Sequence, residues 1–296
     1  MVLDATTITR IIFWGLVAGS IYTLLATGLN IIFGVMKVVN FAHGEVMILG
    51  SYVTFYLWSM AQLNPYMVIP VAMLVVAGLG MLIERLSFRP IKGTSKINEI
   101  FLSLALILIL QNAMAVVAVA NLRELKPVLI SSPFRLESIP LGPVSLPNDF
   151  AVILSVTALV LVGLLLVLRR TGFGRRLRAV SQNRTAAALM GVDVERMDMI
   201  SFGIGSALAA LAGAFLAILA PFDPYSGTFP AIKAFAVIIL GGLGSISGAV
   251  VAGFILGLSE SAAAFLLGGV WKDAIAFAFL TAILVVRPEG IFGERG

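Results

Sequence analysis

Residues 11–35 read IIFWGLVAGSIYTLLATGLNIIFGV, an apolar run without a single Asp, Glu, Lys or Arg. A helix that crosses a hydrocarbon core about 30 Å thick needs about 20 such residues, because in lipid each backbone N–H and C=O must be satisfied within the helix. The run is continuously apolar, whereas the strands of a membrane barrel alternate. It also lacks a clear A-x-A cleavage site, so it predicts an uncleaved first transmembrane helix.

The rest of the chain repeats this pattern. Hydrophobic residues make up 60% of the sequence and charged residues 12%, whereas soluble domains average about 45–50% and about 25%. This composition excludes a water-soluble fold and predicts an all-α, polytopic transmembrane helical bundle with about eight spans, or eight to ten segments, some of them broken or re-entrant. We expect one transmembrane domain over residues 1–296, with further apolar segments at 46–60, 66–83, 100–120, 151–168, 199–220, 231–243, 245–267 and 270–286.

Basic residues predict how the chain is oriented. The loop 169–198 holds seven arginines and three acidic residues, so the positive-inside rule places it in the cytoplasm. The proline-rich loop 121–150 is then external, the C-terminus 287–296 is cytoplasmic and the N-terminus is external. The net charge of +5 is therefore expected to lie beside the membrane and to have no role in binding nucleic acid.

Motifs for catalysis are missing from the sequence. The chain has no Cys, one His, no G-x-x-x-x-G-K-[ST] and no G-x-S-x-G. We therefore expect no metal centre, no bound cofactor, no ATP site and no nucleophile, and we interpret the chain as a protein other than an enzyme.

Polar residues interrupt the apolar sequence between positions 30 and 50, where Asn30, Lys37, Asn40, His43 and Glu45 occur. Such residues are costly in a membrane unless they face protein, water or each other. One interpretation is a broken helix that lines a path, with Asn40 and His43 offering hydrogen bonds. The other is a short cytoplasmic turn. A loosely similar interruption at 241–253 suggests either meeting half-helices of an internal repeat or coincidence.

The basic loop contains a candidate docking helix at 183–191. Asn183 is a suitable N-cap, the alanines that follow favour a helix, and Gly191 can adopt the left-handed conformation that ends one. A short helix with small side chains can dock in a groove of another protein. The alternative is an ordinary basic helix on the membrane surface.

Further features concern helix contacts and buried charge. The G-x-x-x-G pairs Gly15/Gly19, Gly244/Gly248 and Gly253/Gly257 predict close helix packing, within the chain or with a partner chain. Glu260 lies in the middle of an apolar segment and is expected to face protein or water. An ion relay is possible at the remaining ionisable residues, but we expect interfacial positions for Lys233, Lys272 and Asp273.

Three blocks resemble one known family. GLNIIFGVM (28–36) followed by VNFAHGE (39–45) closely resembles the first-helix signature of branched-chain amino-acid ABC transporter permeases. The basic loop is similar to that family's coupling segment, and ILGGLGSISG (239–248) is similar to its late glycine-rich stretch. The resemblance covers most of the chain.

This resemblance implies a subunit of a bacterial ABC importer in the plasma (inner) membrane. Its partners would be a second homologous permease, two cytoplasmic ATPases and a periplasmic or external solute-binding protein. The residues implied in coupling to the ATPase are Arg178, Asn183, Ala186, Ala187, Ala188 and Gly191. The residues expected along the translocation path are Asn30, Asn40, His43, Gly44, Glu45, Gly241, Gly242 and Gly244.

The cargo implied by the resemblance is leucine, isoleucine or valine. Related importers carry urea, short amides or other amino acids, and these cargoes stay open. A different class, an ion-coupled secondary transporter, would need its own ion-coupling groups, for which Glu45 and Glu260 are the candidates.

Overall fold

The structure is a computed structural model that describes residues 4–135, 137–141, 144–286 and 290–291. Helices form nearly all of it, and a two-stranded antiparallel hairpin lies between α4 and α5. In chain order the elements are α1 (Ala5–Met36), α2 (His43–Ala61), α3 (Pro65–Ile83) with a π-helical turn (Glu84–Phe88), α4 (Lys96–Leu122), a 3-10 turn (Pro133–Arg135), β1 (Ser138–Leu141), β2 (Val144–Pro147), α5 (Asn148–Arg170), α6 (Gly172–Gln182), α7 (Arg184–Leu189), α8 (Val194–Leu219), α9 (Thr228–Gly241), α10 (Ile246–Leu267) and α11 (Trp271–Val286).

The predicted helical membrane bundle is confirmed, because each apolar segment of the sequence lies in a helix. Within the described residues, six helices are long and apolar enough to cross a membrane, namely α1, α3 with its π-helical turn, α4, α5, α8 and α10. The other apolar helices are shorter: α2 has 19 residues, α9 has 14 and α11 has 16. The chain therefore crosses the membrane about six to eight times, so the expected eight spans are the upper end of this range.

The centre of the bundle is formed by α1 and α8. Almost every residue of α1 from Gly15 to Met36 is buried, and so are most residues of α8. A helix that is apolar on all sides and covered on all sides belongs in the middle of a helical assembly. By contrast α3, α4 and α5 leave large apolar side chains such as Leu74, Leu108 and Leu159 exposed, as expected of helices that face lipid.

Glycines bring α1 and α10 into close contact. A β-carbon added at Gly15 would lie 2.8 Å from the Leu258 α-carbon, and one at Gly19 would lie 3.0 Å from the Phe254 α-carbon. From the other side, a β-carbon at Gly257 would meet the backbone of Gly15 and Gly19. Two of the predicted G-x-x-x-G pairs therefore face each other inside this one chain.

α1 and α8 run antiparallel, and their contacts define the two ends of the bundle. Gly28, in the second half of α1, faces Gly205 near the middle of α8. Val35 near the end of α1 lies beside Asp198 near the start of α8, since Arg184 bonds to both. We call this end, which also carries α6 and α7, the basic end.

Two non-helical segments enter the bundle from its opposite ends. Residues 37–42 follow α1 at the basic end, and Val38, Asn40 and Ala42 within them are buried. Residues 220–227 follow α8 at the other end, and there Phe222 exchanges backbone hydrogen bonds of 2.9 Å with Val128.

The two segments lead to helix N-termini that meet inside the bundle. α2 begins at His43, whose ring lies beside Gly28 of α1, and Gly44 packs directly on the Gly227 carbonyl that precedes α9. Within this segment Asn40, His43 and Glu45 are buried, as the interpretation of a broken helix expects, while Lys37 is exposed, as the interpretation of a turn expects. The similarity to 241–253 stays a prediction.

Candidate functional site

Side-chain caps define two surface helices at the basic end. The Thr171 hydroxyl accepts the Gly174 N–H at 3.2 Å and starts α6. Asn183 Oδ1 accepts the Ala186 N–H at 2.9 Å and starts α7. Gly191 has φ +80°, the left-handed conformation that glycine adopts most easily. The predicted N-cap and left-handed glycine are therefore confirmed, while the helix ends earlier, at Leu189.

α7 presents an apolar tip to solvent. Ala186 and Ala188 are exposed, Ala187 packs inward, and the side chains of Leu189 and Met190 are each 84% exposed. Beside the tip lies an open cavity of about 600 Å³, lined by Phe173, Arg176, Met190, Gly191, Val192, Asp193, Arg196, Met197 and Ile200. Exposed apolar side chains beside a groove are typical of a surface that binds another protein.

Arg184, the first residue of α7, ties this helix to the bundle. Its guanidinium donates two hydrogen bonds to the Asp198 carboxylate, at 3.0 and 2.7 Å, and a third to the Val35 carbonyl at 2.6 Å. Asp198 is fully buried and also pairs with Lys92. Arg184 therefore links α7 directly to the ends of α1 and α8. Neither residue was predicted from the sequence, because Arg184 is one of seven arginines in the loop 169–198 and its partner Asp198 lies in the next helix.

Arg178 holds a different position from the other expected coupling residues. Its guanidinium donates to the Leu168 carbonyl at the end of α5, where cationic groups are favoured. Gly174 lies against the same carbonyl, and a β-carbon there would collide with it. Arg178 therefore fixes α6 against α5 and lies apart from the exposed face of α7.

The expected path residues form two groups. The first group, Asn40, His43, Gly44 and Glu45, lies at the junction of α2 and α9. Asn40 Oδ1 accepts the Ala42 N–H at 3.1 Å, and Glu45 Oε1 accepts the Gln111 side-chain N–H at 3.0 Å. Among the described residues, Glu45 Oε2 and both ring nitrogens of His43 have no hydrogen-bond partner although they are buried. Buried polar atoms of this kind indicate a site for water or for a passing ligand.

The second group lies at the turn between α9 and α10. Gly241, Gly242 and Gly244 belong to this turn, and Asn30 contacts it from α1. The Asn30 amide donates to the Ser245 carbonyl at 2.8 Å, and its oxygen accepts the Gly244 N–H at 2.7 Å. Gly242 and Gly244 have φ of +95° and +87°. Asn30 therefore holds the turn between α9 and α10, and a cavity of about 230 Å³ lies between this turn and α6.

A cluster of ionisable groups lies among α1, α9, α10 and α11. Glu260 is 1% exposed, accepts the Tyr22 hydroxyl at 2.6 Å and pairs with Lys233 at 2.8 Å. Lys233 also pairs with Asp273 at 2.7 Å. The prediction that Glu260 faces protein is confirmed. The interfacial position expected for Lys233 is wrong, because two carboxylates hold its ammonium group inside the bundle.

Comparison with known proteins identifies the family. The family model described as branched-chain amino acid transport system / permease component matches residues 11–284. The high-affinity branched-chain amino acid transport system permease protein BraD of Pseudomonas aeruginosa is 33% identical over 289 residues, covering 95% of this chain and 94% of its own.

Two further relatives point the same way. The protein of the same description in Salmonella typhimurium, LivH, is 32% identical over 291 residues, with 95% and 94% covered. A probable branched-chain amino acid transport permease protein, LivH of Methanocaldococcus jannaschii, is 32% identical over 290 residues, with 94% and 90% covered. No solved structure matches the chain. The chain, a multi-pass membrane protein, belongs to the family of branched-chain amino acid transport permeases.

Proposed function

We propose that this chain is a membrane permease subunit of a bacterial ABC importer that moves leucine, isoleucine or valine inward across the plasma membrane. The family match over nearly the whole chain supports the transport role and the class of cargo. The proposal includes a second homologous permease, two ATPases on the cytoplasmic side and an external solute-binding protein. It also places the basic end, with the α6–α7 segment, in the cytoplasm and the N-terminus outside. The C-terminal residues 287–289 and 292–296, predicted to be cytoplasmic, lie outside the described residues.

The observation that carries the coupling role is the attachment of α7. Its exposed tip, Leu189 and Met190, is available to a partner. At its start, Arg184 donates hydrogen bonds to Asp198 of α8 and to the Val35 carbonyl of α1. When the ATPases close on ATP, their contact with the tip displaces α7, and α1 and α8 move with it as a unit. Ala186 and Ala188 suit this contact because small side chains allow close approach. Asn183 and Gly191 contribute by fixing where the helix begins and ends.

The path proposed for the cargo passes the junction of α2 and α9. Two helix N-termini meet there, and their dipoles favour an anionic group such as a carboxylate. The unpartnered atoms of His43 and Glu45 offer further hydrogen bonds. Movement of α1 and α8 alters this junction, since Gly28 of α1 contacts both His43 and Gly205 of α8.

The test is uptake of radiolabelled leucine by proteoliposomes that contain the assembled complex, with ATP inside and the binding protein outside. Ala188→Glu places a charge on the exposed face of α7, so uptake should fall at least tenfold while the complex still assembles and hydrolyses ATP. The matched control is Gln182→Glu, at the exposed end of α6, which should transport normally. Normal uptake by Ala188→Glu would contradict the coupling role of α7.

The same vesicles separate this proposal from an ion-coupled transporter. Uptake should stop when the ATPases or ATP are omitted, whatever the proton or sodium gradient. Uptake driven by an ion gradient in vesicles without ATPases would overturn the proposal. Competition by isoleucine and valine but not by urea or acetamide would establish the class of cargo.

A further inference from the structure

A pocket lies beside the charged cluster, on the half of the bundle away from the basic end. Its volume is about 390 Å³, within the range of about 300–1,000 Å³ that is typical of small-molecule sites. Apolar side chains form most of its wall, namely Trp14, Ile21, Leu216, Leu219 and Phe229. Its polar side is formed by Tyr22, Lys233, Lys272 and Asp273. An apolar pocket with a few convergent polar groups is the usual form of a ligand site.

The charges of this cluster are divided between a buried part and an accessible part. Glu260 and Lys233 have side chains 1% and 6% exposed and are held together at 2.8 Å. Asp273, at the start of α11, has a side chain 47% exposed although it pairs with Lys233 at 2.7 Å. Lys233 therefore keeps a permanent counter-ion in Glu260, while its second carboxylate partner can be reached from the pocket.

The geometry fits a ligand that carries both charges. With Lys272 counted, the two lysines and two carboxylates of the cluster and pocket sum to zero charge. A lone cation or anion placed in this pocket would therefore leave one charge uncompensated in an apolar surrounding, which is costly. A zwitterion avoids this cost. Its carboxylate can replace Asp273 as the partner of Lys233, and its ammonium group can pair with the released Asp273 carboxylate. The Lys233–Asp273 pair is replaced by two pairs with the ligand, one at Lys233 and one at Asp273, and the total charge of the site does not change.

We propose that this pocket binds a neutral amino acid as a zwitterion, with the α-carboxylate on Lys233, the α-ammonium on Asp273 and a branched side chain against Trp14, Ile21 and Leu219. The inference rests on the proposed transport function and assigns the cargo a docking position within this subunit. Glu260, which also accepts the Tyr22 hydroxyl, holds the Lys233 ammonium group in place during the exchange.

The test is equilibrium binding of radiolabelled L-leucine to the purified complex, assembled without its solute-binding protein and measured by scintillation proximity. Asp273→Asn should weaken binding at least tenfold because the ammonium group loses its partner. Leu219→Trp fills the pocket without changing its charge and should weaken binding as strongly. The control Glu124→Gln removes an exposed carboxylate in the loop 121–150 and should bind as the parent does. Size-exclusion elution and thermal unfolding establish that each variant assembles.

Competition shows which groups of the ligand are recognised. Unlabelled leucine should displace the label, whereas leucinamide, which lacks the carboxylate, and 4-methylpentanoate, which lacks the ammonium group, should displace it at least tenfold less well. Parent-like binding by both Asp273→Asn and Leu219→Trp, or equal displacement by either analogue, would overturn the inference.

Parallel uptake measurements distinguish the two proposals. In one outcome, the parent shows ATP-dependent leucine uptake while both pocket variants bind and transport leucine as the parent does. That result rejects the proposed binding pocket and leaves the transport function standing. A parent complex that neither binds nor transports leucine rejects the transport function and the pocket together.

Discussion

Asp198 and Glu260 are both fully buried carboxylates that join separate helices through basic side chains, yet their surroundings differ. Asp198 at the basic end binds Arg184 and Lys92, so two cations hold one anion. Glu260 shares Lys233 with Asp273, so two anions hold one cation. The Asp198 cluster connects a surface helix to the bundle, whereas the Glu260 cluster borders a pocket with apolar walls.

The two proposals rest on this difference, a mechanical link at Asp198 and a binding position beside Glu260. At Asp198 the Arg184 guanidinium makes three hydrogen bonds in a fixed planar arrangement, which suits transmission of movement. At Glu260 the second partner of the lysine is a half-exposed carboxylate, which a ligand can replace. The predictions below test this distinction, beginning with the largest expected effect.

Lys233→Met should destabilise the chain by about 3–5 kcal/mol, because it leaves Glu260 buried without a counter-ion. The measurement is reversible unfolding of the complex in mixed micelles by sodium dodecyl sulfate. The double variant Lys233→Met/Glu260→Met should recover most of this loss, since apolar replacement of a buried pair is often neutral. Equal losses in the single and double variants would show that the ion pair is irrelevant to stability.

Arg184→Met should cost less, about 2–3 kcal/mol, because Asp198 keeps Lys92 and the arginine side chain is 27% exposed. It should also lower the number of leucine molecules moved per ATP hydrolysed at least fivefold, since α7 loses its connection to α1 and α8. Both quantities are measured on the reconstituted complex. Arg175→Met, an exposed arginine of α6, is the matched control, and an equal transport ratio in the two variants would refute the mechanical link.

Asn183→Ala should destabilise α7 by about 1 kcal/mol through loss of its N-cap. The expected result is faster hydrogen exchange at Ala186 and Ala187, with the amides of α6 unchanged. Asn183→Asp keeps an acceptor at this position and should exchange like the parent. Unchanged exchange in Asn183→Ala would mean that Arg184 alone fixes the helix.

Asp273→Asn should change stability least, by under about 1 kcal/mol, because exposed ion pairs contribute little. In the same variant, leucine binding should fall at least tenfold. Unfolding and binding are measured on one preparation. A loss of stability comparable to that of Lys233→Met would show that Asp273 is a structural member of the cluster and would remove the distinction drawn between the two clusters.

The fold was predictable at the level of its helices but not at the level of their arrangement. Apolar runs such as 11–35 and 199–220 became α1 and α8, since the need to satisfy backbone groups in lipid leaves little choice. Apolar character alone does not show that α1 and α8 lie at the centre while the more apolar α5 lies outside. Burial among helices and burial in lipid select the same side chains.

The candidate site was predictable in part. Asn183 and Gly191 carry local signals, a cap and a left-handed turn, and both were predicted correctly. Arg184 was indistinguishable from its basic neighbours, because its role depends on Asp198, 14 positions further along the chain. The position of Lys233 was predicted wrongly, because interfacial lysines are common and its buried partner Glu260 belongs to another helix.

The sequence by itself determined that this is a helical membrane protein, where its apolar segments lie and where its surface helix begins, because these features depend on residues close together in the chain. The tertiary structure decided that the N-termini of α2 and α9 meet, that Arg184 joins α7 to α1 and α8, and that Lys233, Glu260 and Asp273 surround one side of a pocket. Those contacts join residues that are distant in the chain, so their energies depend on how the helices pack.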